Sequence, residues 1–229
     1  MNIKELLIQW NQRKWEEKNR MMYAEKGSSN QWPWYNEDLD PDILIYIKES
    51  GLNNAKILDL GTCSGSQAIA LAKLGFDVVG TDISETALKK AVIAKEREIG
   101  LSVNFLLDDI TQSNLPDANF DLILDRGCFH SICCFAGVEY VKNVQRILKP
   151  GGILLLKTMS AKETRFVEYN QIGSQKIPMP YHFEEDQLRK ALGDFFNIVS
   201  IKESFFYSAV VNPPAKAYLS IIQKNEMTA

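Results

Sequence analysis

The run GILLLKTM at 152–159 is almost purely apolar, and its composition suits a strand buried on both faces of a sheet. From about residue 40 onward, short apolar runs bounded by Gly, Asp or Pro alternate with helical patterns, as in a parallel sheet covered by helices on both sides. KILDLG at 56–61 predicts a first strand and SQAIALAKLG a helix ending at Gly75. DVVGTD at 77–82 predicts a second strand, after which Ser84 caps a helix that Gly100 closes. VNFLLDD at 103–109 and FDLILD at 120–125 give the third and fourth strands, and GILLLKTM the fifth. Ahead of them, Asp40-Pro41 reads as an N-cap followed by proline at the first helical position, with Gly51 as the stop for DILIYIKES.

After the fifth strand the rhythm changes. Residues 160–181 read as a polar loop and HFEEDQLRKALG as a helix, whereas FFNIVSIKESFF and KAYLSIIQK read as strands. The connection YSAVVNPPA between these two is too short for a helical crossover, so they should pair antiparallel, with NPPA at 212–215 in the turn. At 229 residues, with no internal repeat, the chain suits one domain over 41–229 preceded by an N-terminal helical, Trp-rich lid over 1–40.

Bulk properties exclude several functions. A net charge of −3 leaves no electrostatic footprint for a phosphate backbone, which argues against a nucleic-acid partner. The first 26 residues carry charges every few positions, and no run has the length of a signal peptide or a membrane span. A cytoplasmic protein follows, in which four unevenly spaced cysteines are free thiols. Nothing in the sequence sets the oligomeric state.

The first strand runs into DLGTCSGSQ, where an open α/β sheet receives a nucleotide-like ligand. A dinucleotide fingerprint fails here, because the third position from Gly61 is Cys63 and the sixth is Ser66. Asp59 would repel a pyrophosphate and attract an ammonium group. Asp82, ending the second strand, is placed for ribose hydroxyls, and Asp109 for an adenine amino group between Ile83 and Ile110. A ligand with ammonium, ribose and adenine but no phosphate is S-adenosylmethionine.

From about Lys56 to Lys224 the chain resembles a class I S-adenosylmethionine-dependent methyltransferase. ILDLGTCSG resembles the first motif of that family, VVGTDIS the second, LLDDI the third, FDLILDRG the fourth, and ILKPGGILLL the turn and strand that follow. The resemblance implies an α/β, doubly wound, seven-stranded, mostly parallel sheet of order 3-2-1-4-5-7-6 with its last strand antiparallel. It implies a cofactor site formed by Trp34, Asp59, Gly61, Thr62, Cys63, Gly65, Asp82, Ile83, Asp109, Ile110, Asp125 and Arg126. Cys63 departs from the family loop, which is typically G-x-G-x-G. Its Cβ makes a positive φ costly, so weakened or displaced cofactor binding is expected.

Three of the four cysteines and one of the two histidines lie in CFHSICC at 128–134. The segment follows the fourth strand, next to the first in the implied order, where the family places its acceptor. A zinc site needs about four ligands, usually as two spaced pairs, and there is no second pair, so no metal is expected. Cys133 and Cys134 read as buried small apolar residues on a helix. Cys128 and His130 read as pocket wall, with His130 and Asp125 as the catalytic candidates and His130 positioning the acceptor or taking its proton. Trp32, Arg165, Tyr169 and His182 complete the expected substrate side.

All four tryptophans fall within the first 34 residues. Trp10, with Leu6 and Leu7, reads as the apolar face of a helix packed on the domain. Trp32 and Trp34, in a Pro-containing loop, present ring faces to which a sulfonium is attracted. This front, with GCFH after the fourth strand, resembles the thiopurine and tellurite-resistance branch of small-molecule methyltransferases. The implied activity is methyl transfer to a small thiol, hydroxyl or similar nucleophile. A non-catalytic S-adenosylmethionine-binding sensor or subunit is the alternative, and a nicotinamide-dependent reductase is disfavoured by Asp59.

Overall fold

A computed structural model of the chain describes residues 3–25, 32–172 and 175–226. Its elements are α1 (Ile3–Glu25), α2 (Pro41–Ser50), β1 (Lys56–Leu60), α3 (Ser66–Lys73), β2 (Asp77–Asp82), α4 (Glu85–Lys95), β3 (Val103–Leu107) and β4 (Phe120–Arg126). They continue with α5 (Phe129–Ile147), β5 (Leu148–Met159), β6 (Tyr169–Ile172), β7 (Gln175–Pro178), α6 (Glu185–Leu192), β8 (Asn197–Phe206) and β9 (Ala215–Gln223). Seven strands form one sheet of order β3-β2-β1-β4-β5-β9-β8. The first five are parallel, and β9 runs antiparallel to both of its neighbours. This is the topology and the terminal hairpin expected from the sequence.

Alternation along the central strands feeds two cores. Leu58, Ile123, Leu154 and Leu156 point to one face, where they pack with Tyr140 and Val144 of α5. Ile57, Leu124 and Leu155 point to the other, against Ile43 and Ile47 of α2 and Leu71 of α3. Because both faces are covered, β4 and β5 need near-continuous apolar runs. The helix ends obey the local chemistry. Asp40 accepts from Asp42 N with Pro41 at the first position, Gly51 closes α2 at φ 65°, and Ser84 accepts from Ala87 N.

Two expectations are corrected. Residues 160–181 contain a two-stranded hairpin, β6–β7, in which Asn170 faces Ile177. The polar strand YNQI gives no apolar alternation to read. In α1, Leu7 is buried as expected but Leu6 is exposed, and the covered side continues through polar Asn11 and Asn19 to Met22 and Tyr23. α1 lies against α4 and α5. Among the described residues no helix is long and apolar enough to cross a membrane.

Candidate active site

A cavity of about 300 Å³ opens at the carboxyl ends of β1, β2 and β4, roofed by α1 and the loop carrying Trp32 and Trp34. Its floor is the glycine loop. Gly61 takes φ 71°, and a Cβ there would stand 3.1 Å from Cys128 Cβ. Gly65 takes φ 81°, and a Cβ would meet Phe105 at 2.7 Å, so glycine is required for α3 to start where it does. Cys63, where the family loop has a glycine, nonetheless adopts φ 51°. Its backbone N–H donates to Asp82 Oδ2 at 2.9 Å, and its thiol lies 3.7 Å from the Tyr23 hydroxyl. Burial pushes that thiol up to about 11 and raises the Cys128 thiol well above its ordinary value, so both are protonated at neutral pH.

Asp59, Asp82 and Asp109 stand at the strand ends on the cavity wall, with Asp108 beside the last. Asp59 accepts from Thr62 Oγ1 at 2.6 Å, and burial raises it to about 6. Asp82 accepts from Ser84 N at 2.9 Å as well as from Cys63 N, and burial likewise raises it to about 6. Asp109 accepts from Thr111 N and Oγ1 on one oxygen and from Gln12 Nε2 of α1, at 2.7 Å, on the other. Ile83 and Ile110 line the same wall.

The fourth strand's acid behaves differently. Asp125 is fully buried and does not line the cavity. Its oxygens accept from the N–H groups of Gly127, Cys128 and Phe129 and from the Tyr140 hydroxyl at 2.6 Å. With four donors at the start of α5 it is a helix-end anchor. The assignment of Asp125 to catalysis and cofactor contact is therefore corrected. Arg126 does line the cavity, but all three guanidinium nitrogens are engaged: Nε with Asp40 at 2.9 Å, and the other two with the Trp34 and Tyr207 carbonyls. It fastens the tryptophan loop to the sheet.

His130 reaches the cavity beside Gly127 and Cys128. Its Nδ1 accepts from Met159 N at 3.0 Å, which places the ring proton on Nε2. Burial lowers its pKa to about 3. The ring is thus a neutral hydrogen-bond donor, which corrects its role as a proton acceptor and leaves positioning. Trp32 lines the cavity with Trp34, their rings stacked at 5.6 Å.

The remaining expected substrate residues lie off this wall. Arg165 pairs with Glu163 at 2.7 Å and donates to the Pro213 and Pro214 carbonyls, clamping the NPPA turn. Tyr169 is exposed on β6, and His182 is held through Nδ1 by the Glu163 carbonyl at 2.8 Å. Cys134 is exposed, and Cys133 is half-buried. Among the described residues no group of His, Cys, Asp and Glu is arranged to hold a metal.

The sequence suggested a Trp-rich lid but did not name the residues beyond Trp32 and Trp34 that line its underside. Asn11, Lys14, Trp15, Lys18 and Asn19 of α1 line the cavity, as do Met159, Phe166, Glu168, Met179 and Phe206. The readable signal was in α1, where Asn11, Trp15 and Asn19 recur every four residues on the covered side, an odd face for a purely structural helix.

Comparison with known proteins agrees with this geometry. The methyltransferase domain family matches residues 52–204. An uncharacterized methyltransferase of Schizosaccharomyces pombe is 42% identical over 130 residues, covering 57% of this chain and 88% of that one. The protein-lysine N-methyltransferase efm4 of the same organism is 28% identical over 177 residues, covering 64% of this chain and 74% of its own. Among solved structures, one described for the conversion of a disulfide bond into a thioacetal group during echinomycin biosynthesis superposes with TM-score 0.72 at 22% identity, covering 90% and 91% of the two chains. With a sheet of this order, a glycine loop between strand-end carboxylates and a family match over 52–204, the chain belongs to the methyltransferase domain family and is an S-adenosylmethionine-dependent methyltransferase.

Proposed function

We propose that the chain methylates a small nucleophilic molecule, a thiol, phenol or similar acceptor, enclosed beneath α1 and the tryptophan loop. The observation that carries this reading is the roof. α1, Trp32, Trp34, Phe166, Met179 and Pro180 surround the space beside Cys128 and His130, a shape that suits a small molecule better than a side chain projecting from a protein surface. The tryptophan front and GCFH support the thiopurine and tellurite-resistance branch within this reading. Residues 1–40 then serve as the lid. The four free cysteines are in keeping with residence in a reducing cytoplasm.

The residues fit the cofactor. Asp82 offers carboxylate oxygens to ribose hydroxyls, Asp59 attracts an ammonium, and Asp109 with Ile83 and Ile110 suits an adenine edge and its faces. When bound, S-adenosylmethionine supplies a sulfonium methyl, whose carbon–sulfur bond breaks as the acceptor's bond to that carbon forms, leaving a neutral thioether. The protein's part is to hold the acceptor in line and to exclude water. Such positioning supplies about 7–11 kcal/mol. His130 presents Nε2–H as a donor that orients the acceptor, and Trp34, its ring stacked on Trp32, walls the cavity. At the Cys128 end His130 is a donor and the Cys128 thiol is protonated, which favours acceptors that ionise by themselves, such as arene thiols.

The test is formation of S-adenosylhomocysteine by the purified protein, with a panel of thiols and phenols in parallel with lysine-containing peptides. Turnover is expected with the small nucleophiles alone. Turnover confined to the peptides would replace this reading with protein-lysine methylation, the activity for which efm4 is named.

A further inference from the structure

Lys14 and Lys18 stand one turn apart on α1, and both side chains face the cavity rather than open solvent. The Lys18 ammonium lies 4.8 Å from the centre of the Trp15 ring and 4.9 Å from that of Trp34. Among the described residues it makes no hydrogen bond and no ion pair. Among the described residues Lys14 donates to neutral partners, Asn170 Oδ1 and Met179 Sδ, each at 3.0 Å, with the Trp10 ring at 5.0 Å. Glu168, exposed at the mouth, attracts both lysines from beyond ion-pair range.

This arrangement is costly. Long cationic side chains ordinarily run their stems along apolar surface and keep the charge in water. Here burial draws Lys14 down to about 8, with the Lys18 charge adding to the effect, and burial lowers Lys18 too. Indole faces offset part of the desolvation of Lys18 but supply no hydrogen-bond acceptor. An anion arriving from the cavity side would meet two ammonium groups with donors to spare.

We propose that Lys18 and Lys14 form an anion subsite for the acceptor, so that the preferred substrate is a small nucleophile bearing a carboxylate or comparable anionic group, its body lying against Trp32 and Trp34. The inference rests on the small-acceptor reading and narrows it. Lysine binds an anion as a point charge, so the subsite selects charge rather than a planar geometry.

Thiophenol and 4-mercaptobenzoate, which differ by one carboxylate, serve as probes. Their binding to the protein saturated with S-adenosylhomocysteine and their methylation rates would be compared in the wild type, Lys18→Met and Lys18→Arg. A charge-assisted contact predicts about tenfold preference for 4-mercaptobenzoate in KM and Kd. Lys18→Met should lose that preference and Lys18→Arg keep it, with S-adenosylhomocysteine affinity unchanged in both and, because the desolvated charge is costly, a thermal midpoint in Lys18→Met no lower than in the wild type. Equal handling of the two probes by the wild type would overturn the subsite and leave the small-acceptor reading standing. A parallel loss of S-adenosylhomocysteine binding in Lys18→Met would reassign the lysines to the cofactor's own carboxylate. If neither probe binds a protein that does bind S-adenosylhomocysteine, the small-acceptor reading fails for arene thiols and takes this inference with it.

Discussion

Cys63 holds φ 51° at the middle of the cofactor loop, a conformation that costs a residue with a Cβ roughly 1–2 kcal/mol relative to glycine. Its thiol packs near Tyr23 and Asn19 of α1, so the substitution trades loop strain for contact with the roof. Cys63→Gly should therefore tighten S-adenosylhomocysteine binding several-fold while shifting stability by less than ~1 kcal/mol, since strain relief and lost packing oppose each other. Calorimetric titration beside a denaturation curve checks both; weaker binding in the variant would mean the thiol itself serves the ligand. Asp82 gives a pH prediction with a definite sign. Burial raises it to about 6, so it is ionised and a full acceptor above that pH and protonated below it. Affinity for S-adenosylhomocysteine should fall as pH drops through about 6. Asp82→Asn should bind about tenfold more weakly above that pH, with a flatter profile, Asp59 retaining a slope of its own because it too is raised to about 6. An unaltered profile in the variant would remove Asp82 from the ligand.

Among the elements, α1 shows where sequence reading stops. Asp59, Gly61 and Asp82 were legible because a strand, a tight turn and a helix start lie next to one another in the chain, and each leaves a local signature. The contacts of α1 leave none. Gln12 reaches Asp109 across 97 positions, and Glu16 accepts from Ser84 Oγ at 2.7 Å and from Thr86 N and Oγ1 at 3.3 and 2.6 Å. Asp125 was misread for a related reason: its hydroxyl partner Tyr140 lies fifteen residues on, inside a helix whose start the cysteine cluster obscured. Glu16 is the main polar tie between the roof and the start of α4, and those bonds hold its carboxyl near 2 against the effect of burial. Glu16→Ala removes a charged acceptor from the three donors of the α4 start, as well as from Arg20, worth about 1.5–3 kcal/mol locally. Hydrogen exchange should speed up along 3–25 far more than in β1, β4 and β5, and acceptor turnover should fall before cofactor affinity does. Uniform acceleration throughout the sheet would mean that α1 is part of the folding core rather than a separable roof.

Across the whole molecule, one buried charge cluster binds the roof segment to the sheet. Lys157 of β5, fully buried, donates to Asp40 at 2.6 Å, to Asp42 at 2.8 Å and to the Phe205 carbonyl at 3.0 Å. Asp40 also holds Arg126, and Arg126 holds the Trp34 and Tyr207 carbonyls, so two cations and two carboxylates join the tryptophan loop, α2, β4, β5 and β8. The lysine in GILLLKTM was visible in the sequence, but its carboxylate partners lie more than a hundred positions away and nothing local announced them. Removing one member of such a cluster strands the others. Lys157→Met leaves Asp40 and Asp42 short of a cation and should cost about 3–5 kcal/mol, a large part of a typical stability of about 5–15 kcal/mol. The denaturant midpoint should fall with the m-value unchanged. Adding Asp42→Asn should cost less in the Lys157→Met background than in the wild type, because the carboxylate it neutralises is already unpaired. Fully additive losses, or a single-variant loss below ~1 kcal/mol, would show that water reaches these charges. The cluster would then not be what fixes the tryptophan loop above the cavity.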